Sequence, residues 1–184
     1  MPVRVRVILA CLAAACGCAA ASASAGDDPE RRLAAELAVM AGDVRRLTAD
    51  EAGPLERTGL NQRLAGALSS LPLLLRRANG DPAPVAGMRA SLARHDWRAL
   101  SGALAALKQR HPFDARTLLT AATPATRAFG ASIHRTTCAG CHDTATGDSL
   151  LPAKPLAAQL ETMPREEFAA RLLLGVRGDR TTSW

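Results

Sequence analysis

Apolar residues recur at alternating steps of four and three from Leu33 through Leu37, Met40 and Val44 to Leu47, a spacing that lines one face of a helix. Asp28-Pro29-Glu30 supplies its start: a capping acid, a proline suited to the first helical position and an acid near the positive end of the dipole. A second stripe, Leu60, Leu64, Ala67, Leu71 and Leu74, follows Pro54, and Pro72 should kink or shorten that helix near its end. Two such stripes with a short connection predict an antiparallel hairpin. The stretch 78–87, "ANGDPAPVAG", reads as a loop, after which Val85, Met88 and Leu92 begin a third stripe. Trp97, Leu100, Leu104 and Leu107 form a fourth, with Asp96 placed to cap it and "RHPFD" to end it. No alternating pattern long enough for a strand and no fixed-period repeat occurs. The fold class is therefore all-α, and a bundle of roughly 90 residues is just large enough to hold a core.

From "TAATPATRAFG" onward the pattern changes. Pro124 can start a further helix carrying Phe129 and Ile133 on one face, which runs directly into Cys138-Ala-Gly-Cys141-His142. Another helix is expected from Pro164 to about Leu174, with Gly175 near its end. This places a boundary in the Ala/Thr/Pro turn, dividing the chain into a bundle over 26–121 and a smaller helical unit over 122–184.

The first 25 residues change the meaning of the cysteines. Arg4 and Arg6, an apolar run from Val7, and Ala23-Ser24-Ala25 have the form of a secretory signal cleaved after Ala25, so the mature protein is expected in the periplasm. Membrane association would require the signal to stay uncleaved or to be lipidated, and Cys16 has Ala13 where a lipoprotein signal carries a leucine-like residue. Cleavage removes Cys11, Cys16 and Cys18 and leaves Cys138 and Cys141, whose tiny ring would staple nothing. The formal charge of +6 falls by the two arginines to about +4, an ordinary balance for a soluble domain. Of the 23 basic residues only Lys108 and Lys154 are lysine, a bias of composition rather than of phosphate binding, so no nucleic-acid partner is expected.

The pentad has four chemical readings. Two thiols separated by two residues in a helical turn lie about a vinyl-to-vinyl distance apart, and the next residue, His142, falls beneath the metal of a porphyrin bound that way. Zinc would need four ligands, and besides the pentad the mature chain offers only His95, His111 and His134. A thioredoxin-like redox pair would adjoin a strand-helix-strand pattern, which is lacking. Coincidence would place both remaining cysteines here by chance. One covalently bound haem c is the favoured reading.

At these residues the chain resembles class I c-type cytochromes, monohaem electron carriers of the bacterial periplasm. The match runs from Gly130 through Ile133 and His134 to Cys138-Ala-Gly-Cys141-His142 and covers about 60 residues, from near 124 to the end; it does not cover the bundle. His134 stands where the family usually has an aromatic residue. The resemblance implies a cytochrome c-like helical haem domain with Cys138 and Cys141 as thioether anchors and His142 as proximal iron ligand. It implies a proline carbonyl, from Pro152 or Pro155, on the His142 ring, which would fix its orientation and raise its basicity. It also implies a distal methionine on a late loop. No methionine follows the 164–174 helix, so Met163, 21 residues past His142, is the candidate, with Met40 and Met88 reading as core. His95, His111 and His134 are alternatives that would poise the potential lower. The resemblance also implies a closing helix that crosses the first at its glycine; none is expected up to Trp184, so that either the terminus is shortened or the bundle gives the cover that helix normally supplies.

The implied function is one-electron transfer between redox partner proteins, as a carrier rather than a catalyst. Two alternatives stay open: a five-coordinate haem that binds gas or peroxide, and a helical subunit whose bundle docks a partner while carrying a haem.

Overall fold

The computed structural model describes residues 28–49, 52–118, 122–143 and 153–175. The expected signal, Pro152 and the residues after 175 lie outside them. Every regular element among the described residues is helical: α1 (Pro29–Thr48), α2 (Pro54–Arg77), α3 (Pro84–Ala93), α4 (Trp97–Arg110), a 3₁₀ turn (Ala115–Leu118), α5 (Pro124–Ile133), a π turn (His134–Cys138), α6 (Ala139–His142), α7 (Leu156–Thr162) and α8 (Arg165–Leu174). None of the described helices is long and apolar enough to cross a membrane.

The starts of α1, α2, α4 and α5 are those the sequence marks, and α7 is a helix the sequence reading did not expect. The Asp28 carboxylate accepts from the Glu30 amide at 3.0 Å with Pro29 in the first turn, and Asp96 accepts from the Ala99 amide at 3.0 Å. Helix α3 begins at Pro84, inside the stretch expected to be loop, because proline at the first helical position needs no hydrogen-bond partner there. Leu33, Leu37, Met40, Val44 and Leu47 close with Leu60, Leu64, Leu68, Leu71 and Leu75 of α2, Val85 and Met88 of α3, and Leu100, Leu104 and Leu107 of α4 into one buried core.

Pro72 does not end α2, which continues to Arg77. Proline removes the amide that would bond the carbonyl four residues earlier, that of Leu68. Arg89, from α3, fills the gap: its Nε and Nη2 donate to the Leu68 carbonyl at 3.1 and 2.9 Å, and Nη2 also reaches the Ser69 carbonyl at 3.3 Å. The helix persists because a charged side chain from a neighbouring element replaces the missing main-chain donor.

Helix α1 is buried on a second side as well. Ala34, Ala35, Ala38 and Val39 pack with Phe113, the 3₁₀ turn and Ala170 of α8. Helix α8 lies beyond the boundary expected at 121/122, yet it shares this core with the first helix of the bundle. At Gly42 the Glu167 side chain of α8 lies against the backbone of α1, where any Cβ would fall on its carboxylate. α8 ends at Gly175, which adopts a left-handed conformation (φ 62°) that glycine accepts without a Cβ clash.

Candidate functional site

The Cys138–His142 turn sits at the end of a continuous rod. Thr123 caps α5 by accepting from the Thr126 amide at 3.1 Å, and α5 widens into the π turn before α6. In that turn the Ala139 amide donates to the carbonyl of His134, five residues back, so Cys138 is rotated relative to a regular helix. Cys138 is half-buried and Cys141 exposed, and both are free thiols. They stand three residues apart in one helical turn, with His142 immediately after. Phe129 and Ile133 leave large apolar side chains 69% and 45% exposed on the helix that leads into the turn.

His142 is oriented from outside its own helix. Its Nδ1 lies 2.7 Å from the main-chain carbonyl of Lys154, which can only accept, so Nδ1 carries a proton and the lone pair of the neutral ring is on Nε2. The acceptor is not a proline carbonyl. It is that of the residue before Pro155, and the Pro155 carbonyl instead accepts from the Gln159 amide at 3.0 Å. The reason is local: the ring of Pro155 bars Lys154 from helical geometry and holds its peptide extended, leaving its carbonyl free of any helix ladder. Pro155 meanwhile starts α7.

The donor set suits a covalently held porphyrin. Two thiols in one turn could carry thioethers, and the Nε2 lone pair beside them is available to iron. The exposed Phe129 and Ile133 offer apolar surface for a flat ring. Among the described residues no three His, Cys, Asp or Glu side chains converge as a metal site, so the zinc reading finds no additional ligands there.

The remaining histidines have structural partners. His95 takes a left-handed conformation (φ 55°) and closes α3: its amide donates to the Leu92 carbonyl, the Asp96 amide to that of Ser91, and its ring stacks on Trp97 at 5.3 Å. His111 Nδ1 lies 2.6 Å from Glu30 Oε1, tying the end of α4 to the start of α1. His134 Nε2 lies 3.4 Å from Asp143 Oδ1, bracing the Cys138–His142 turn from its two ends. Met40 and Met88 are core, each 1% exposed. Met163 is half-buried at the joint between α7 and α8, where its amide donates to the Gln159 carbonyl at 2.9 Å. The structure gathers Cys138, Cys141 and His142 in one turn and places Met163 at the end of the helix that follows Lys154.

The hydrophobic pattern missed a charged cluster at the junction of α1, α2 and α8. Asp43 (1% exposed) is paired with Arg63 and, at 2.6 Å, with Arg171. Glu167 is held by Arg171 at 2.6 Å, Arg45 at 2.7 Å and Arg46 at 3.4 Å. Arg46 also lies 3.7 Å from Glu56, and Glu56 accepts from Lys154 Nζ at 3.3 Å. Burial alone would push the Glu167 carboxyl up, but the surrounding guanidiniums outweigh it and hold the group below the ordinary range. Burial dominates at Glu36 and raises it, and burial together with the like charge of Arg171 lowers Arg63. The signal for this junction lies in "LAAELAVMAGDV": small and apolar residues occupy nearly the whole circumference, the mark of a helix buried on more than one side. A scan against protein-family profiles finds no match, and neither a search of curated proteins nor one of solved structures finds a match.

Proposed function

We propose that the chain is an exported monohaem c-type cytochrome that passes single electrons between redox partner proteins in the periplasm. One observation carries the reading: in a turn with two free thiols one helical turn apart, the adjacent imidazole is held through Nδ1 at 2.7 Å by a main-chain carbonyl, which presents Nε2 as a ligand. Such an outer hydrogen bond fixes the ring of a metal-binding histidine and raises its basicity. A bound haem c supplies the one-electron couple of its iron. Cys138 and Cys141 anchor it through thioethers, so that it is not lost outside the cell, and His142 ligates from one side. Phe129 and Ile133 give apolar cover and exclude water. Met163 is the proposed distal ligand.

The test is intact mass and absorption of protein matured with haem, in both oxidation states, with and without carbon monoxide. A mass raised by one haem and a low-spin ferrous spectrum unmoved by carbon monoxide support the carrier. Bare polypeptide with two titratable thiols overturns it. A haem-loaded protein that binds carbon monoxide replaces it with the five-coordinate gas- or peroxide-binding reading. Replacement Met163→Ala should convert an unreactive ferrous protein into one that binds carbon monoxide, with attachment unchanged.

A further inference from the structure

We propose that the bundle positions the iron ligand: Glu56, at the start of α2, is a positioning residue that holds the Lys154 carbonyl against His142 Nδ1. The tuning of iron by this strut rests on the haem reading above; the geometry of the strut does not.

Lys154 is held at two points. Its carbonyl accepts from His142 at 2.7 Å and its ammonium donates to Glu56 Oε1 at 3.3 Å, across a sequence separation of 98 residues. Pro155 holds the Lys154 main chain extended, which fixes the direction of its carbonyl, and the ion pair to Glu56 tethers the 55% exposed side chain of the same residue to the bundle. The foot of the strut is itself fixed. Glu56 is 24% exposed beside Arg46, Arg46 reaches Glu167, and Glu167 is gripped by Arg45 and Arg171 in the cluster that joins α1, α2 and α8. The rod bearing the cysteines packs chiefly on its own π turn, and α5 buries no residue. The line His142, Lys154, Glu56, Arg46 therefore registers the imidazole against the bundle.

Weakening the bond at Nδ1 would make the imidazole a poorer electron donor, stabilise ferric iron less and move the potential upward. A surface ion pair formed only because two long side chains happen to meet would leave the ring indifferent to its loss.

The full chain is compared with Glu56→Gln, Lys154→Met, the double variant and Lys154→Arg. Lys154→Met deletes the ammonium from an exposed side chain and keeps the main-chain carbonyl. The first readout is the tautomer of the His142 ring in the haem-free chain, from ¹⁵N shifts. The expected result is an Nδ1–H ring in the unsubstituted protein, a shift toward Nε2–H in each single variant, no further shift in the double variant, and recovery in Lys154→Arg. The second readout is the reduction potential of the loaded chain, expected to rise in both single variants and no further in the double. An unchanged tautomer in the single variants, or a double variant whose shift is the sum of the two, overturns the proposal. A chain that carries no haem by mass refutes the electron-transfer reading, and the tautomer then decides the strut alone.

Discussion

Glu36 and Glu167 carry the same carboxyl, and their surroundings move it in opposite directions. At Glu167 the guanidiniums of Arg171 and Arg45 overcome the effect of burial; at Glu36 burial overcomes the attraction of Arg32 and Arg63. A carboxyl whose folded pKa lies below its unfolded one stabilises the fold above about pH 4.5 and loses that contribution as pH falls toward the folded value. A carboxyl whose folded pKa is raised does the reverse: it favours the fold in acid and costs stability as pH rises past about 4.5. Glu167→Gln should therefore destabilise the protein at pH 7 by about 2 kcal/mol, below the value for a fully buried pair because Arg45 and Arg46 reach solvent. That difference should shrink below pH 4.5. Glu36→Gln should be the more stable protein at pH 7, with its advantage vanishing in acid. Urea unfolding of both variants from pH 3 to 8 checks the pair; parallel curves for Glu36→Gln and the unsubstituted protein would contradict it.

At the scale of elements, the run of α2 through Pro72 depends on a residue of α3. Arg89→Met leaves the Leu68 carbonyl without its donors in a residue that is fully buried, at a cost of about 1–2 kcal/mol. Pro72→Ala restores the main-chain amide and should stabilise α2 on its own. With alanine at 72, loss of Arg89 should cost far less, so the double-mutant cycle should show a coupling of about 1 kcal/mol, measured by urea unfolding. Additive effects would mean that Arg89 acts elsewhere. This compensation was not legible in the chain, where Pro72 and Arg89 are separated by 17 positions and nothing local marks their meeting. The starts of α1, α2, α4 and α5 were legible, because Asp28, Pro29, Pro54, Asp96 and Pro124 act through their own main chain or that of the next few residues. The core stripes were legible for the same reason: one period fixes which side chains share a face. The Cys138–His142 turn was readable as a candidate site, since its three residues depend only on local spacing. The acceptor on His142 was readable only to within a residue, since Pro155 acts on the peptide before it.

The whole molecule turns on how α8 is held to α1, which the stripe Leu33 to Leu47 could not reveal because it accounts for only one side of the helix. The second side carries Ala34, Ala35, Ala38 and Val39 against Ala170, and beside it the carboxylates of Asp43 and Glu167 alternate with arginines from three helices. Gly42 makes this junction possible: the Glu167 carboxylate occupies the space a side chain would need. In Gly42→Ala the added methyl must displace that carboxylate, which is held by Arg45, Arg46 and Arg171 and cannot swing away without giving up its ion pairs to them. The methyl would also favour α1 by about 1 kcal/mol through helix propensity, so a net loss measures the junction and not the helix. We expect a net destabilisation of about 2 kcal/mol in urea unfolding, with α8 released first and cleaved by protease while α1 to α4 stay protected. Because Arg46 connects this junction to Glu56 and thence to Lys154, the same substitution should loosen the carbonyl on His142, some 100 residues away in sequence. Gly42→Ala that unfolds like the unsubstituted protein, or that loses stability without α8 becoming accessible, would show that the bundle and the Cys138–His142 turn are not joined through this cluster.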